Sequence, residues 1–207
     1  MNCGRALIGH LRAPARALLA GAHGILILMT LRSVRFEELT QVLRLVRRAV
    51  AVGCQAHYTA RQREAVYATY ARALFGEALG PFEGIVAEGD DGRLLGFAQV
   101  DTRGGRLRAL FVDGDAQGQG VGRALLAEIE ARAARHGCGR LHGAMSLNAA
   151  PFYAAAGFRA LGRPEPLAAA DPDGGAQVDV PIVRMEKRLA QPALSADSGL
   201  WSARSSL

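Results

Sequence analysis

"LRALFVDGDAQGQGVGRALLAEIEARA", residues 107–133, decides how the rest of this chain is read. Leu107–Val112 is an apolar run of strand length. Gly118, Gly120 and Gly122 then fall on alternate positions. From there Val121, Leu125, Leu126 and Ile129 recur at the spacing of one helix face. The most flexible residues of the segment therefore stand directly before a helix start. A helix start leaves backbone N–H groups unpaired and carries partial positive charge, so glycines there let an anion approach closely. A plain connecting turn is the other reading, and glycine spacing alone does not exclude it.

Two named phosphate loops fail on the residues. A Walker loop needs Lys and then Ser or Thr after its last glycine, and Gly122 is followed by Arg123 and Ala124. The dinucleotide fingerprint requires a small residue where Arg123 or Leu125 stands. Composition narrows the partners further. The chain has 207 residues, half of them hydrophobic, and a formal charge of +6. That is enough for one domain with a core. Basic charge favours anions, but Lys187 is the single lysine among so many arginines that the bias reflects overall base composition. Cys3, Cys54 and Cys138 share no paired spacing, and His10, His23, His57, His136 and His142 form no ligand-like pair. Neither a disulfide framework nor a metal site is expected.

Residues 1–28 hold Arg5, Arg12 and Arg16, a short apolar stretch and no acidic residue. They superficially resemble a targeting peptide. The stretch is short for a membrane span and is interrupted by Gly21, His23 and Gly24. The expectation is an extension, disordered or upstream of a true start at Met29, on a cytoplasmic protein. A domain over 29–189 and a mobile tail over 190–207 follow. "TLRSVR" from Thr30 reads as a strand, and a helix from Phe36 buries Leu39, Val42, Leu43, Val46 and Val50, with Glu37 and Glu38 in its first turn. Thr59 and Gln62 stand in capping-box spacing and open a second helix ending near Gly76. "FEGIVAE" and "RLLGFAQVD" flank a tight turn as strands. After the glycine segment come the strand "RLHGAM", a short helix near 148–156, the strand "FRALG", a loop over 163–176, and one or two strands in "QVDVPIVRMEKRL". The order β-α-α-β-β-β-α-β-α-β-β is α+β.

"QGQGVG", with "LFV" before it and "RALL" after it, resembles the acetyl-CoA-binding segment of the GNAT family, the GCN5-related N-acetyltransferases. "RLHGAMSLNAAPFYAAAGFRALG" is similar to that family's next segment: strand, Asn, short helix, Tyr, then Gly-Phe. The resemblance covers roughly 30–189, and "CQAHYTARQREAVYA" with "VRMEKRL" is similar to a small-molecule subgroup. It implies a mixed central sheet, splayed at the fourth and fifth strands counted from Thr30, with helices on both faces. It also implies acetyl-CoA as cosubstrate, no metal, and an unidentified amine as acceptor.

The resemblance assigns roles residue by residue. Gln117, Gly118, Gln119, Gly120, Val121, Gly122 and Arg123 would present the diphosphate site, Arg123 either as a salt contact or facing solvent. Phe111 and Val112 would offer main-chain groups to the pantetheine arm, with one N–H polarising the thioester. Asn148 either hydrogen-bonds the cosubstrate or caps the short helix, where Pro151 costs no helical bond. Tyr153 matches the tyrosine that protonates the departing thiolate, as opposed to a buried aromatic with a satisfied hydroxyl. Many members carry a glutamate as base where Arg108 stands here; Glu88, Gln99 and Asp101 are the nearby alternatives on the preceding strands, of which only Glu88 and Asp101 can be bases, and a water relay is equally open. Cys54 and Cys138 lack a base motif for nucleophilic work. The rival reading is a GNAT-fold module that binds CoA as a sensor without chemistry. Nucleic acid and membrane are not expected partners, and a homodimer stays open.

Overall fold

The computed structural model describes residues 15–20, 26–76 and 82–190. Strands β1 (Ala15–Ala20), β2 (Leu26–Ser33), β3 (Glu83–Gly89), β4 (Leu94–Val100) and β5 (Leu107–Val112) form one antiparallel sheet in chain order. Strands β6 (Arg140–Ser146), β7 (Arg159–Ala160), β8 (Glu165–Ala169) and β9 (Val178–Arg188) form a second, with β9 pairing all three others. The helices are α1 (Leu39–Gly53), α2 (Ala60–Gly76), α3 (Val121–Arg135) and α4 (Ala150–Ala155). Among the described residues, no helix is long and apolar enough to cross a membrane.

The period of two in β3 and β4 builds a core on each face. Ile85, Ala87, Ala98 and Val100 meet Val121, Leu125 and Ile129 of α3. Val86, Phe97 and Ala109 meet Val42, Leu45 and Val46 of α1 and Ala65 of α2. The expected α+β arrangement, with helices on both faces, is therefore present. Gly96 lets α3 seat closely, since a Cβ there would lie 2.7 Å from Leu125 Cδ1. Full burial of Val121, Leu125 and Ile129 is worth about 1.5–3 kcal/mol per side chain, so the start of α3 is fixed by packing.

Several expectations need correction. β1 and the first residues of β2 lie inside the segment read as an extension, because Ala15–Ala20 finds a partner in Leu26–Leu31. Residues 1–14, 21–25 and the tail from 191 lie outside the described residues. The helix expected from Phe36 opens as a 3₁₀ turn, Phe36–Glu38, ahead of α1. Glu38 is buried and held by Arg32 of β2 at 2.5 Å, so it serves an ion pair and not only the helix dipole. The loop at 163–176 contains β8, which pairs with β9 from Glu165↔Ile182 to Ala169↔Val178. The capping box is formed: Gln62 N–H donates to Thr59 Oγ1 at 3.2 Å, and Thr59 N–H to Gln62 Oε1 at 3.0 Å.

Tyr58, in the α1–α2 connection, ties the halves together. Its hydroxyl donates to Pro181 O of β9 at 2.7 Å and accepts from Leu147 N–H, after β6, at 2.7 Å. Tyr58→Phe leaves both backbone groups without that partner. The expected cost is about 1–3 kcal/mol, read as a lower urea midpoint at unchanged slope.

Candidate active site

The two sheets meet at β5 and β6, and they meet at a point. Arg106 and His142 form a single parallel bridge, supported by His142 N–H donating to Gly105 O at 2.9 Å. Glycines permit the contact. A Cβ on Gly143 would fall 2.6 Å from Leu107 O, and one on Gly105 would fall 1.9 Å from Arg140 O. Past this vertex β5 belongs to the first sheet and β6 to the second, so the facing edges separate. The opening is a cleft between β5 (Leu107–Phe111) and the wall of Ala144–Ser146, Ala149 and Tyr153. Its inner end is closed by α2, β8 and β9.

The glycine segment leads to one end of this cleft. Gly118 and Gly120 have φ of 73° and 85°, left-handed values that other residues adopt only with strain. Gly120 is the N-cap of α3 and provides no side chain to close it. Among the described residues, the N–H groups of Gly118 to Arg123 have no protein acceptor. Gln117 differs, since its N–H already bonds Gly114 O at 3.3 Å. Its side-chain amide donates to Val112 O at 3.3 Å, while Gln119 Nε2 reaches Asp115 O at 2.6 Å. Gly122 faces Val112 and Phe152, where a Cβ would be in near contact. Arg123 is exposed.

A buried carboxylate anchors the approach to this loop. Asp113 accepts from Arg48 Nε at 2.8 Å, from Arg93 at 2.9 Å and from Asp115 N–H at 3.3 Å. Burial alone would raise its pKa. The Arg48 hydrogen bond, the Asp115 N–H and the charges of Arg48 and Arg93 outweigh that and hold it below the usual carboxylate range.

Asn148 does not cap α4. Ala149 occupies that position with no side-chain bond, and Asn148 Oδ1 instead accepts from Cys54 Sγ at 3.4 Å. Gly53 brings the two predicted amides together, since a Cβ there would lie 3.4 Å from Gln117 Nε2 and 3.7 Å from Asn148 Nδ2. Burial pushes the Cys54 thiol up, only partly opposed by Arg63, so it is held as a thiol.

Three tyrosines line the cleft, and they differ in one respect. Tyr58 uses its hydroxyl twice, as described, and Tyr70 donates its own to Arg108 O at 2.7 Å. The Tyr153 hydroxyl has no protein partner among the described residues. Its ring is held edge-on by Phe152 and Phe158, with centroids 5.1 and 5.2 Å away. Burial raises all three phenols, Tyr70 to about 12 and Tyr153 well above its ordinary value. Tyr58, Tyr70 and Ser146 were not singled out by sequence. The usable signal for Tyr70 was a hydroxyl-bearing ring four residues after Val66 on an apolar helix face.

No expected base reaches the cleft. Glu88 is bound by Arg32 at 2.6 Å, and Asp101 accepts from the Arg103 and Gly104 N–H groups of its own turn. Gln99 is buried with both amide atoms unpartnered and does not line the opening. Among the described lining residues there is no carboxylate, and Arg108 is the charged one.

Residues 54–167 match the acetyltransferase (GNAT) domain family. Among solved structures, a GCN5-related N-acetyltransferase from Rhodopseudomonas palustris aligns with a TM-score of 0.67 at 23% identity, covering 87% of this chain and 100% of its own. One from Kribbella flavida aligns with a TM-score of 0.56 at 26% identity, covering 78% and 98%. The PaiA N-acetyltransferase of Thermoplasma acidophilum, solved with coenzyme A, gives 0.59 at 17% identity over 77% and 98%. No curated protein matches the chain.

Asp113→Asn should lower thermal stability at neutral pH, because two guanidiniums lose their shared charge partner. Since the folded pKa is depressed, the contribution of the charge is full above about pH 3.9 and lost as pH falls through the lower folded value. The gap in Tm between wild type and variant should therefore be constant from pH 5 to 8 and close in acid.

Proposed function

This chain belongs to the GNAT acetyltransferase family, and we propose that it passes the acetyl group of acetyl-CoA directly to an amine. The unpaired N–H groups of Gly118 to Arg123, backed by the α3 dipole, would hold the diphosphate. The pantetheine arm would run into the gap between β5 and β6, where the β5 edge beyond Arg106 has main-chain groups to offer. An N–H near Phe111 or Val112 would stabilise negative charge developing on the thioester oxygen.

The acceptor must arrive at the carbonyl as a free amine, because an ammonium has no lone pair. Its nitrogen forms the C–N bond, the C–S bond breaks, and the electron pair leaves on sulfur. Tyr153 then gives its hydroxyl proton to that thiolate, and the proton released from nitrogen returns through water to the phenol. The uncommitted Tyr153 hydroxyl, set against the two bonded tyrosines of the same cleft, is the observation that carries this reading. A CoA-binding sensor is the second reading, favoured by the lack of a carboxylate among the described lining residues. Release of free CoA thiol with an amine panel separates them: a sensor binds CoA and releases none.

Tyr153→Phe should lower kcat by about 10²-fold or more while leaving the Kd for CoA unchanged in calorimetry. Because burial raises the Tyr153 phenol, its acid form persists to above about pH 10. The wild-type rate should accordingly climb with pH as the amine deprotonates, with no alkaline fall below that point. Gly120→Val should instead act on binding, weakening CoA by about tenfold, or 1.4 kcal/mol, with the circular dichroism of the fold retained.

A further inference from the structure

We infer that the acceptor is an amine borne on a hydrocarbon body, alkyl or aryl, with neither charge nor hydroxyl at its far end. The inference rests on the acetyl-transfer reading of the cleft and names the substrate class for it.

The second sheet supplies the surface on which such a body would lie. Crossed outward from the gap, its strands run β6, β9, β8. Ser146 of β6 stands opposite Ile182 of β9, and Val180 of β9 stands opposite Leu167 of β8. Residues two apart on a strand share a face. Val180, Ile182, Leu167 and Ala169 therefore make one apolar surface, and all four line the cleft. α2 packs against β8 and β9 and brings Val66 over this surface, with Thr69 and Tyr70 one turn further on the same helix face. Two strand spacings separate β6 from β8, about 10 Å, the reach of a short alkyl or aryl chain.

The polar side-chain atoms around that surface are already spent. The Tyr58 hydroxyl bridges Pro181 O and Leu147 N–H, and the Tyr70 hydroxyl donates to Arg108 O. Thr69 Oγ1 donates to Ala65 O at 2.9 Å and accepts from Ala170 N–H at 3.0 Å. The Cys54 thiol is taken by Asn148 Oδ1. Arg108 lies across from them on β5, as the extra residue of the bulge where Gln99↔Ala109 gives way to Val100↔Leu107. Its guanidinium is engaged over the Phe82 ring, 4.8 Å from the centroid. Among the described lining residues, the hydroxyls of Ser146 and Tyr153 are the two without a protein partner, and both stand on the wall of the gap.

Polarity at the gap and hydrocarbon beyond it set the direction of the acceptor. Its nitrogen lies at Ser146 and Tyr153, and its body crosses β9 toward β8. A hydroxyl or second ammonium carried to that far end would lose water without gaining a partner, which is unfavourable. Each methylene placed there gains by leaving water. A two-carbon acyl group ends at the gap, so the space beyond it falls to the acceptor and not to the donor.

The test uses three amines of one length, pentylamine, 5-aminopentan-1-ol and 1,5-diaminopentane, followed by thiol release from acetyl-CoA. We expect kcat/KM for pentylamine to exceed that for the amino alcohol by about tenfold or more, with the diamine lower still. From ethylamine to pentylamine it should rise by about fourfold per methylene. Val180→Thr and Val66→Thr keep the side-chain shape and add a hydroxyl to the wall, so each should narrow the gap between pentylamine and the amino alcohol. Equal rates for the three amines, preference for the diamine, or a gap unchanged in both variants overturns the inference while acetyl transfer stands. Hexanoyl-CoA outpacing acetyl-CoA with ethylamine would assign the space to the acyl chain and overturn it as well. Calorimetry on the CoA-bound protein needs no turnover. N-pentylacetamide should bind about tenfold more tightly than N-(5-hydroxypentyl)acetamide, which supports the inference even if no amine releases thiol. Equal or absent binding overturns it.

Discussion

Past the bridge between Arg106 and His142, β5 and β6 turn edges toward each other that they no longer pair. Unpaired backbone groups inside a protein require partners, and a gap between strands is held open only if both edges are anchored elsewhere. Here β5 is anchored by β4 and β6 by β9, each over a full strand, while Tyr58 fixes the distance between the halves from the far side. The vertex needs two glycines, because the carbonyls of Leu107 and Arg140 occupy the space of any Cβ at Gly143 and Gly105. The cleft is thus a property of the sheet as a whole and not of a loop.

The anion-binding end depends on that frame in a different way. The α3 start is aimed by hydrocarbon, since Val121, Leu125 and Ile129 lock its axis onto β3 and β4. The turn before it is aimed by charge, through Asp113 and its two arginines. Donors fixed in place before a ligand arrives cost little ordering on binding. The left-handed glycines are compatible with this rigidity, because what they supply is a backbone shape and open access.

Local patterns were legible in the sequence where a segment carries its own evidence. The Thr59 and Gln62 cap, the buried stripe of α1 and the strand–glycine–helix run at 107–133 each read correctly, since spacing alone encodes them. β8 did not, because "EPLAA" acquires strand form from eleven-residue β9 and not from its own alternation. The same holds for β1, whose partner is the next strand. Glu38 looked like a dipole residue until Arg32 arrived from β2, and Asn148 stood open between a cap and a cosubstrate contact, with the cap removed once its oxygen bonds Cys54 and Ala149 takes the cap position. The Arg108 bulge is a register difference between two strands, which neither strand spells alone.

The absence of a carboxylate among the described lining residues has a consequence for how an amine would be prepared in the proposed reaction. Desolvation disfavours an ammonium. That penalty acts on the acceptor itself and would lower its pKa as it enters the apolar cleft beside Tyr153. A glutamate in contact with the nitrogen would do the reverse, stabilising the ammonium before removing its proton. The two arrangements reach the same nucleophile from opposite directions.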